Sequence, residues 1–435
     1  MRTKPYSKKP FVNVITLGCS KNTVDSEVLL SQLQANKINA THDSSEIAPV
    51  VIINTCGFID QAKAESIDTI LAYAHEKSVG SIQKLYITGC LSERYKNDLA
   101  QEFPEADGIF GTRDLVPLLQ ELSAEYKHHL LGERSLTTPN HYAYLKISEG
   151  CNRPCSFCAI PMMRGPYVSR SIESLVKEAE YLANKGVKEL ILIAQDTSFY
   201  GIDLSGKCQL PSLLEKLTDV SGIEWVRLQY TYPAGFPEEI LPIIRDNPKI
   251  CNYLDMPLQH ISDKILTSMR RGITKSKTMR LIDTIRKQIP DVHLRTAFIV
   301  GYPEETDDDF LELLDFVQQS RFERVGVFKY SHEEETHAFN LVDTVSDTIK
   351  DLRAQELMMQ QQQISLEQNA QKIHKMYPVI IDRYEKPYWV GRTEFDSPEV
   401  DNEVVITSAK PLVVGEFCSV LITDCQEFDL FGQAV

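Results

Sequence analysis

The sequence predicts an α/β protein in three parts: an amino-terminal parallel-sheet α/β domain over residues 10–125, a central partial (β/α)6 barrel with an exit helix over 142–375, and a small β-barrel over 376–435. Three observations carry this reading. Over residues 11–125 and again over 142–330, short apolar runs alternate with helical patterns, the mark of parallel strands joined by crossover helices. Residues 126–141 lack periodicity and read as a linker between the first set of strands and the second. From Met376 onward apolar and polar residues alternate in short runs, with Gly391, Pro398, Pro411 and Gly415 at turns, as in a small antiparallel barrel.

In the first part the strands are Phe11 to Leu17, Val50 to Thr55 and Lys84 to Thr88. Each ends in a cysteine beside glycine: Leu17-Gly18-Cys19, Asn54-Thr55-Cys56-Gly57 and Thr88-Gly89-Cys90. Carboxyl ends of neighbouring parallel strands share a crevice, so the three cysteines are expected to meet there as a three-thiolate site. A single cysteine at a strand end is more often a small buried apolar group, and the repetition is what argues for a site. His128, His129 and His141 fall in the linker, flank no strand end and read as solvated. The central part has six strand-like runs: Tyr144 to Ser148, Glu189 to Ala194, Trp225 to Tyr232, Asn252 to Gln259, His293 to Gly301 and Arg324 to Tyr330. Polar strand ends, Gln195-Asp196, Tyr230-Thr231-Tyr232, Gln259-His260 and Gly301-Tyr302, collect on the rim where such barrels bind ligands. Arg295 lies inside the fifth strand, and pointing inward it would meet a carboxylate. Ser346-Asp347 supplies an N-cap for a helix to about Met376, whose run Gln360 to Gln363 reads as a solvated face.

After the first central strand comes Gly150-Cys151-Asn152-Arg153-Pro154-Cys155-Ser156-Phe157-Cys158, three cysteines at the spacing C-x3-C-x2-C. Thiolates on so short a loop can converge on one soft metal centre, and three are one short of closing a four-cysteine zinc site or a 4Fe-4S cluster. The open metal position then holds a small ligand. The alternative is a zinc knuckle completed by a distant residue, which would make the chain a scaffold without catalysis. Cys208, Cys251, Cys418 and Cys425 match no ligand pattern and read as structural.

Composition narrows the class further. The 435 residues are 43% apolar, enough for several cores, and 46 basic against 61 acidic residues leave a net charge of −15. That balance argues against a general nucleic-acid binder and favours a basic partner. From Met376 onward four basic residues face eleven acidic ones, a net of −7, which repels phosphates. No apolar run approaches the roughly 18 residues that span a bilayer. Met1 to Pro10 carries Arg2, Lys4, Lys8 and Lys9, but the apolar run after it is short and broken by Asn13, unlike a signal peptide. A cytoplasmic location is expected, and in that reducing compartment cysteines serve as ligands or buried thiols.

The cysteine triplet, with Phe157 before its last member, resembles the loop of the radical S-adenosylmethionine (SAM) superfamily. Thr16-Leu17-Gly18-Cys19-Ser20-Lys21-Asn22 with Asp25-Ser26-Glu27, Asn54-Thr55-Cys56-Gly57-Phe58-Ile59-Asp60, and Gly89-Cys90-Leu91 look like the amino-terminal domain of its methylthiotransferases. The match covers nearly the whole chain from Phe11. The resemblance implies two 4Fe-4S clusters, an auxiliary one on Cys19, Cys56 and Cys90 and a SAM-binding one on Cys151, Cys155 and Cys158, with Gln195, Asp196 and Arg295 as candidate SAM contacts. It implies that one SAM yields a 5′-deoxyadenosyl radical that takes hydrogen from an unactivated carbon, that a second SAM gives the methyl group, and that the auxiliary cluster presents the sulfur. It also implies that the last part is a TRAM domain. Together with these motifs, Gly391-Arg392-Thr393-Glu394-Phe395-Asp396-Ser397-Pro398-Glu399-Val400-Asp401 is most similar to the branch that modifies the β-carbon of an aspartate in protein twelve of the small ribosomal subunit. An acidic final domain suits such a basic partner, whether free or in the subunit, beside a reducing electron donor and a sulfur source. The alternative is a transfer RNA methylthiotransferase acting on a modified adenosine. Asn402 departs from the pattern, which has glycine after the acidic turn.

Overall fold

The computed structural model describes residues 11–130 and 132–435; the basic stretch Met1 to Pro10 lies outside the described residues. The chain divides into two compact units. One comprises residues up to Thr137 with Glu149–Asn152 and Ala159–Tyr167, and the other Thr138–Ser148, Arg153–Cys158 and Val168–Val435. Among the described residues no helix is long and apolar enough to cross a membrane.

The first unit is built on five parallel strands, β1 (Val12–Thr16), β2 (Ala40–His42), β3 (Val50–Thr55), β4 (Lys84–Gly89) and β5 (Gly108–Ile109), in the order β2-β1-β3-β4-β5. Val12, Val14, Val50, Ile52 and Tyr86 pack on one side, under α1 (Ser20–Ala35), while Val51, Ile53, Leu85 and Ile87 pack on the other with Ile70 of α2 (Asp60–Ser78) and Leu91 of α3 (Cys90–Arg94). Burial on both faces makes the inner strands read as continuous apolar runs. The edge strands β2 and β5, three and two residues long, are too short to leave such a run and were not foreseen. Strand order reverses between β1 and β3, and the crevice beyond the carboxyl ends at such a reversal is where open α/β sheets take ligands. The stretch expected as a linker is fixed to this unit as far as Thr137: the Thr137 N–H donates to Glu27 Oε1 at 2.8 Å, and Arg134 pairs with Glu27 in a buried bridge. His128 and His129 are exposed in a single 3-10 turn.

In the second unit six parallel strands run side by side in the order Arg324–Lys329, His293–Val300, Ile250–Asp255, Trp225–Leu228, Glu189–Ile193 and Tyr142–Lys146, an open sheet of the partial-barrel kind. The Ser346 hydroxyl caps the helix Asp347–Ala370, which stops six residues short of Met376. Its glutamine run is solvated only in part: Gln363 is exposed, whereas Gln360 donates to the Leu314 carbonyl at 2.8 Å and buried Gln361 to that of Phe322 at 3.0 Å. The last five strands, Met376–Glu385, Tyr388–Arg392, Val404–Thr407, Leu430–Ala434 and Phe417–Cys425, close into a barrel around Val379, Ile381, Val404, Ile406, Val420 and Ile422.

Between the second and third barrel strands in sequence, residues 393–402 cross one face of the central sheet. The Glu394 carbonyl accepts from Arg227 at 2.6 Å, Ser397 Oγ from Gln229 at 2.6 Å, and Asp401 Oδ2 from the Tyr253 hydroxyl at 2.7 Å. Asp396 pairs with Arg324 at 2.6 Å, and Phe395 stacks on His293 with centroids 3.8 Å apart. Arg227 on its strand and Gln229 just past the strand end stand two apart, and both reach this loop. Buried Glu189 accepts from Arg227 at 2.7 Å and forms an ion pair with Arg392 at 2.8 Å, and Arg392 also pairs with Asp382. His141 completes this network with Nε2 2.7 Å from Asp382 Oδ1. It is therefore buried and partnered, against the solvated reading, because it borders the carboxyl-terminal barrel rather than open linker. The left-handed residue of the acidic turn is Glu399, with φ 69°, so the turn does not call for glycine at Asn402.

Candidate functional site

Cys19, Cys56 and Cys90 follow the inner strands β1, β3 and β4, and the structure brings them together at the carboxyl end of that sheet. Gly18 has φ +88°, and a Cβ added there would stand 2.6 Å from Cys56 Cβ and 2.8 Å from its Sγ. Gly89 has φ +104°, and a Cβ there would strike Asn54 and the Thr55 backbone at 2.5 Å. The glycines are thus the condition for these loops to lie side by side. Asn22, fully buried in α1, ties them: its amide donates to the Leu17 carbonyl at 2.8 Å and to the Thr55 carbonyl at 3.0 Å, and its Oδ1 lies 3.7 Å from Cys90 Sγ. Ser66 holds the Cys56 backbone at both ends, accepting from its N–H at 3.0 Å and donating to its carbonyl at 2.8 Å.

The three thiols lie close enough to act on one another electrostatically. Burial pushes Cys56 up, opposed by the Phe58 backbone N–H and raised again by Cys19. Burial pushes Cys90 up to about 12, opposed by the Arg164 guanidinium. The Cys56 and Cys90 thiols therefore stay protonated alone and are unmasked by a metal, which takes the thiolate. Among the described residues no three His, Cys, Asp or Glu side chains are arranged around a single ion position. A cubane cluster asks for a different geometry, one thiolate to each iron, and three soft thiolates at a glycine-cleared edge are a donor set that fits it.

In the second cysteine stretch, Cys151 is buried while Cys155 and Cys158 are half-buried. Cys155 and Cys158 flank a tight turn closed by the Cys158 N–H on the Cys155 carbonyl at 3.2 Å. Ser156 fastens that turn, with its N–H on the Met269 carbonyl at 3.0 Å and its hydroxyl 2.9 Å from that of Tyr302, and Phe157 packs beside Ile265 and Met269. Arg271 Nη1 donates to Cys155 Sγ at 3.3 Å, and the Tyr232 hydroxyl lies 3.5 Å from the same sulfur. The Tyr232 ring sits between two guanidinium groups, with Arg153 4.1 Å and Arg271 4.2 Å from its centroid.

Of the candidate SAM contacts, Gln195 is half-buried just past the strand Glu189–Ile193. Asp196 is buried and engaged by Arg153 Nε at 2.6 Å and by the Ser198 hydroxyl, which ties it to the cysteine loop's own arginine. Arg295 does face inward, but protein carboxylates already meet it: Asp255 Oδ1 at 3.0 Å and Asp401 Oδ1 at 3.3 Å. His260, expected on the rim, is fully buried; its Nδ1 accepts from the Ser262 N–H at 3.0 Å. Arg164, Arg271 and Asn22 were not singled out from sequence; Asn22 lay within a quoted motif, whereas the two arginines left no signal in spacing or periodicity.

Comparison with known proteins places this geometry. Residues 145–317 match the radical SAM superfamily, residues 11–111 an uncharacterized protein family termed UPF0004, and residues 373–435 the TRAM domain. A Flavobacterium johnsoniae protein named ribosomal protein uS12 methylthiotransferase RimO is 56% identical, covering 100% of both chains. Relatives of the same name from Cytophaga hutchinsonii and Bacteroides fragilis are 54% and 50% identical, covering 99% of each chain in the first case, and 98% of this chain and 100% of the relative in the second. Among solved structures, the radical S-adenosylmethionine methyltransferase TsrM from Kitasatospora setae superposes with a TM-score of 0.55 at 15% identity, over 73% of each chain, a likeness of fold. The chain belongs to the RimO family of ribosomal protein uS12 methylthiotransferases, within the radical SAM superfamily.

Proposed function

We propose that this chain transfers a methylthio group to the β-carbon of an aspartate in ribosomal protein uS12, in the cytoplasm, using two 4Fe-4S clusters, one on Cys19, Cys56 and Cys90 and one on Cys151, Cys155 and Cys158. The observation that carries the two-cluster reading is the gathering of three strand-end cysteines, far apart in sequence, at the carboxyl end of the amino-terminal sheet. Full-length identity of 50–57% to proteins named for uS12 supports the substrate. When bound, the clusters and SAM supply the radical that breaks an unactivated C–H bond, together with the sulfur and the methyl group. The chain's own side chains do the rest. Arg271 and Tyr232 hold the Cys155 sulfur, Asp196 fixes Arg153 against Tyr232, and Asp255 with Asp401 holds Arg295 in place, where its remaining N–H groups are available to an anionic substrate or cofactor group. The acidic final barrel favours a lysine- and arginine-rich protein over a polyphosphate chain.

Mass spectrometry of uS12 and of transfer RNA nucleosides from a deletion strain tests the substrate. Loss of the methylthio group from uS12 is expected, restored by the wild-type chain. An unchanged uS12 with a lost nucleoside modification overturns the reading in favour of a transfer RNA enzyme. For the clusters, anaerobic iron and sulfide analysis of a Cys19→Ala, Cys56→Ala, Cys90→Ala variant is expected to show half the wild-type iron and no methylthio transfer.

A further inference from the structure

Arg164 ends the short helix Ile160–Arg164, and its side chain is 1% exposed. Nothing in the packing of a small α/β unit requires a buried guanidinium there, and burying one is costly unless its N–H groups are met. Here they are met by a specific set. Nε donates to Cys90 Sγ at 3.3 Å, one Nη to Asn22 Oδ1, and the other to Asp25 at 2.6 Å and Glu149 at 3.2 Å. Asn22 is the same residue that spans the carbonyls of Leu17 and Thr55, beside the other two cysteines. The planar fork is therefore fixed on three sides and aims its Nε donor at a sulfur.

We propose that Arg164 is a positioning residue that sets the reduction potential of the cluster held by Cys19, Cys56 and Cys90, with Asp25 and Glu149 trimming its charge. This rests on the cluster reading above. An N–H donor on a ligand thiolate withdraws electron density from the cluster and stabilises the state that has gained an electron, which is how the shell around iron–sulfur sites tunes them. The two carboxylates oppose the arginine, so removing the arginine and removing a carboxylate move the potential in opposite senses.

The test uses the full chain with Cys151, Cys155 and Cys158 replaced by alanine, reconstituted anaerobically with iron and sulfide, so that one cluster remains to be read. Its midpoint is measured by electron paramagnetic resonance against titanium(III) citrate with mediators. Arg164→Met is expected to lower the midpoint by at least a tenfold change in the reduced-to-oxidised ratio, 59 mV for one electron. Arg164→Lys shifts it the same way by less, and Asp25→Asn raises it. Equal midpoints in the loaded variants, or shifts of one sign for arginine and aspartate alike, overturn the proposal, because a purely structural role would loosen the site identically in each. Should Arg164→Met fail to hold iron, the lysine and asparagine variants decide by the same signs. Absence of any cluster in the alanine background with Arg164 intact overturns the cluster reading itself.

Discussion

Single side chains in this protein are set by what surrounds them more than by their type. His260 shows this: burial pushes its imidazole down to about 3, and its Nδ1 is committed to the Ser262 N–H. The folded state therefore refuses a proton that the unfolded chain takes up below its ordinary value of 6.5. The stability this contributes is present above that value and is lost as pH falls towards 3, at up to about 1.4 kcal/mol per pH unit. His260→Asn, which keeps an acceptor for Ser262, is expected to flatten the fall in urea midpoint between pH 6 and pH 4 relative to wild type. An unchanged slope would mean that other groups carry the acid sensitivity. Arg295 belongs to the same scale. Asp401→Asn weakens one of its two anchors and is expected to raise the KM for SAM several-fold, alongside the lower thermal midpoint that breaking a buried pair brings; a lower midpoint with an unaltered KM would make Asp401 a structural residue only.

Among elements, the inner strands of both sheets were legible in the sequence to within about two residues at their starts because they are buried on both faces, so apolar residues run without interruption. The cysteines at their ends were legible for a related reason: a glycine is forced wherever two loops approach as closely as Gly18 approaches Cys56. The loop 393–402 was read as a motif, yet its placement was not foreseen, since its partners Arg227, Tyr253 and Arg324 lie 72 to 167 residues away and no local pattern encodes such distances. The same blindness hid Arg164 and made His141 look solvated. The loop's charges are paired in the interior, so breaking one pair is expensive. Asp396→Asn leaves Arg324 uncompensated and is expected to cost about 3–5 kcal/mol, read as a lower urea midpoint for the unit that contains the central sheet. Replacing both residues with apolar partners of similar volume should recover much of that loss.

For the molecule as a whole, the net charge of −15, with −7 in the final sixty residues, sets the partner it attracts. Attraction of this kind acts on encounter and weakens with ionic strength, because the Debye length falls from about 10 Å at 0.1 M to about 3 Å at 1 M. The KM for a uS12 substrate is expected to rise with added salt, while the rate of SAM cleavage without substrate stays constant. A KM indifferent to salt would assign recognition to shape alone. The way the loop 393–402 closes on the central sheet also bears on how the chain is made. During synthesis Arg324 emerges 72 residues ahead of Asp396, and Arg227 waits 167 residues for the Glu394 carbonyl. Until that late segment leaves the ribosome, Arg324 lacks its Asp396 partner and Arg227, already paired with Glu189, lacks its Glu394 acceptor, so nascent and prematurely terminated chains are the forms that call on chaperones and proteases. An enzyme assigned to finishing a ribosomal protein thus completes the interior of its own central sheet only after a segment 72 to 167 residues downstream has been made.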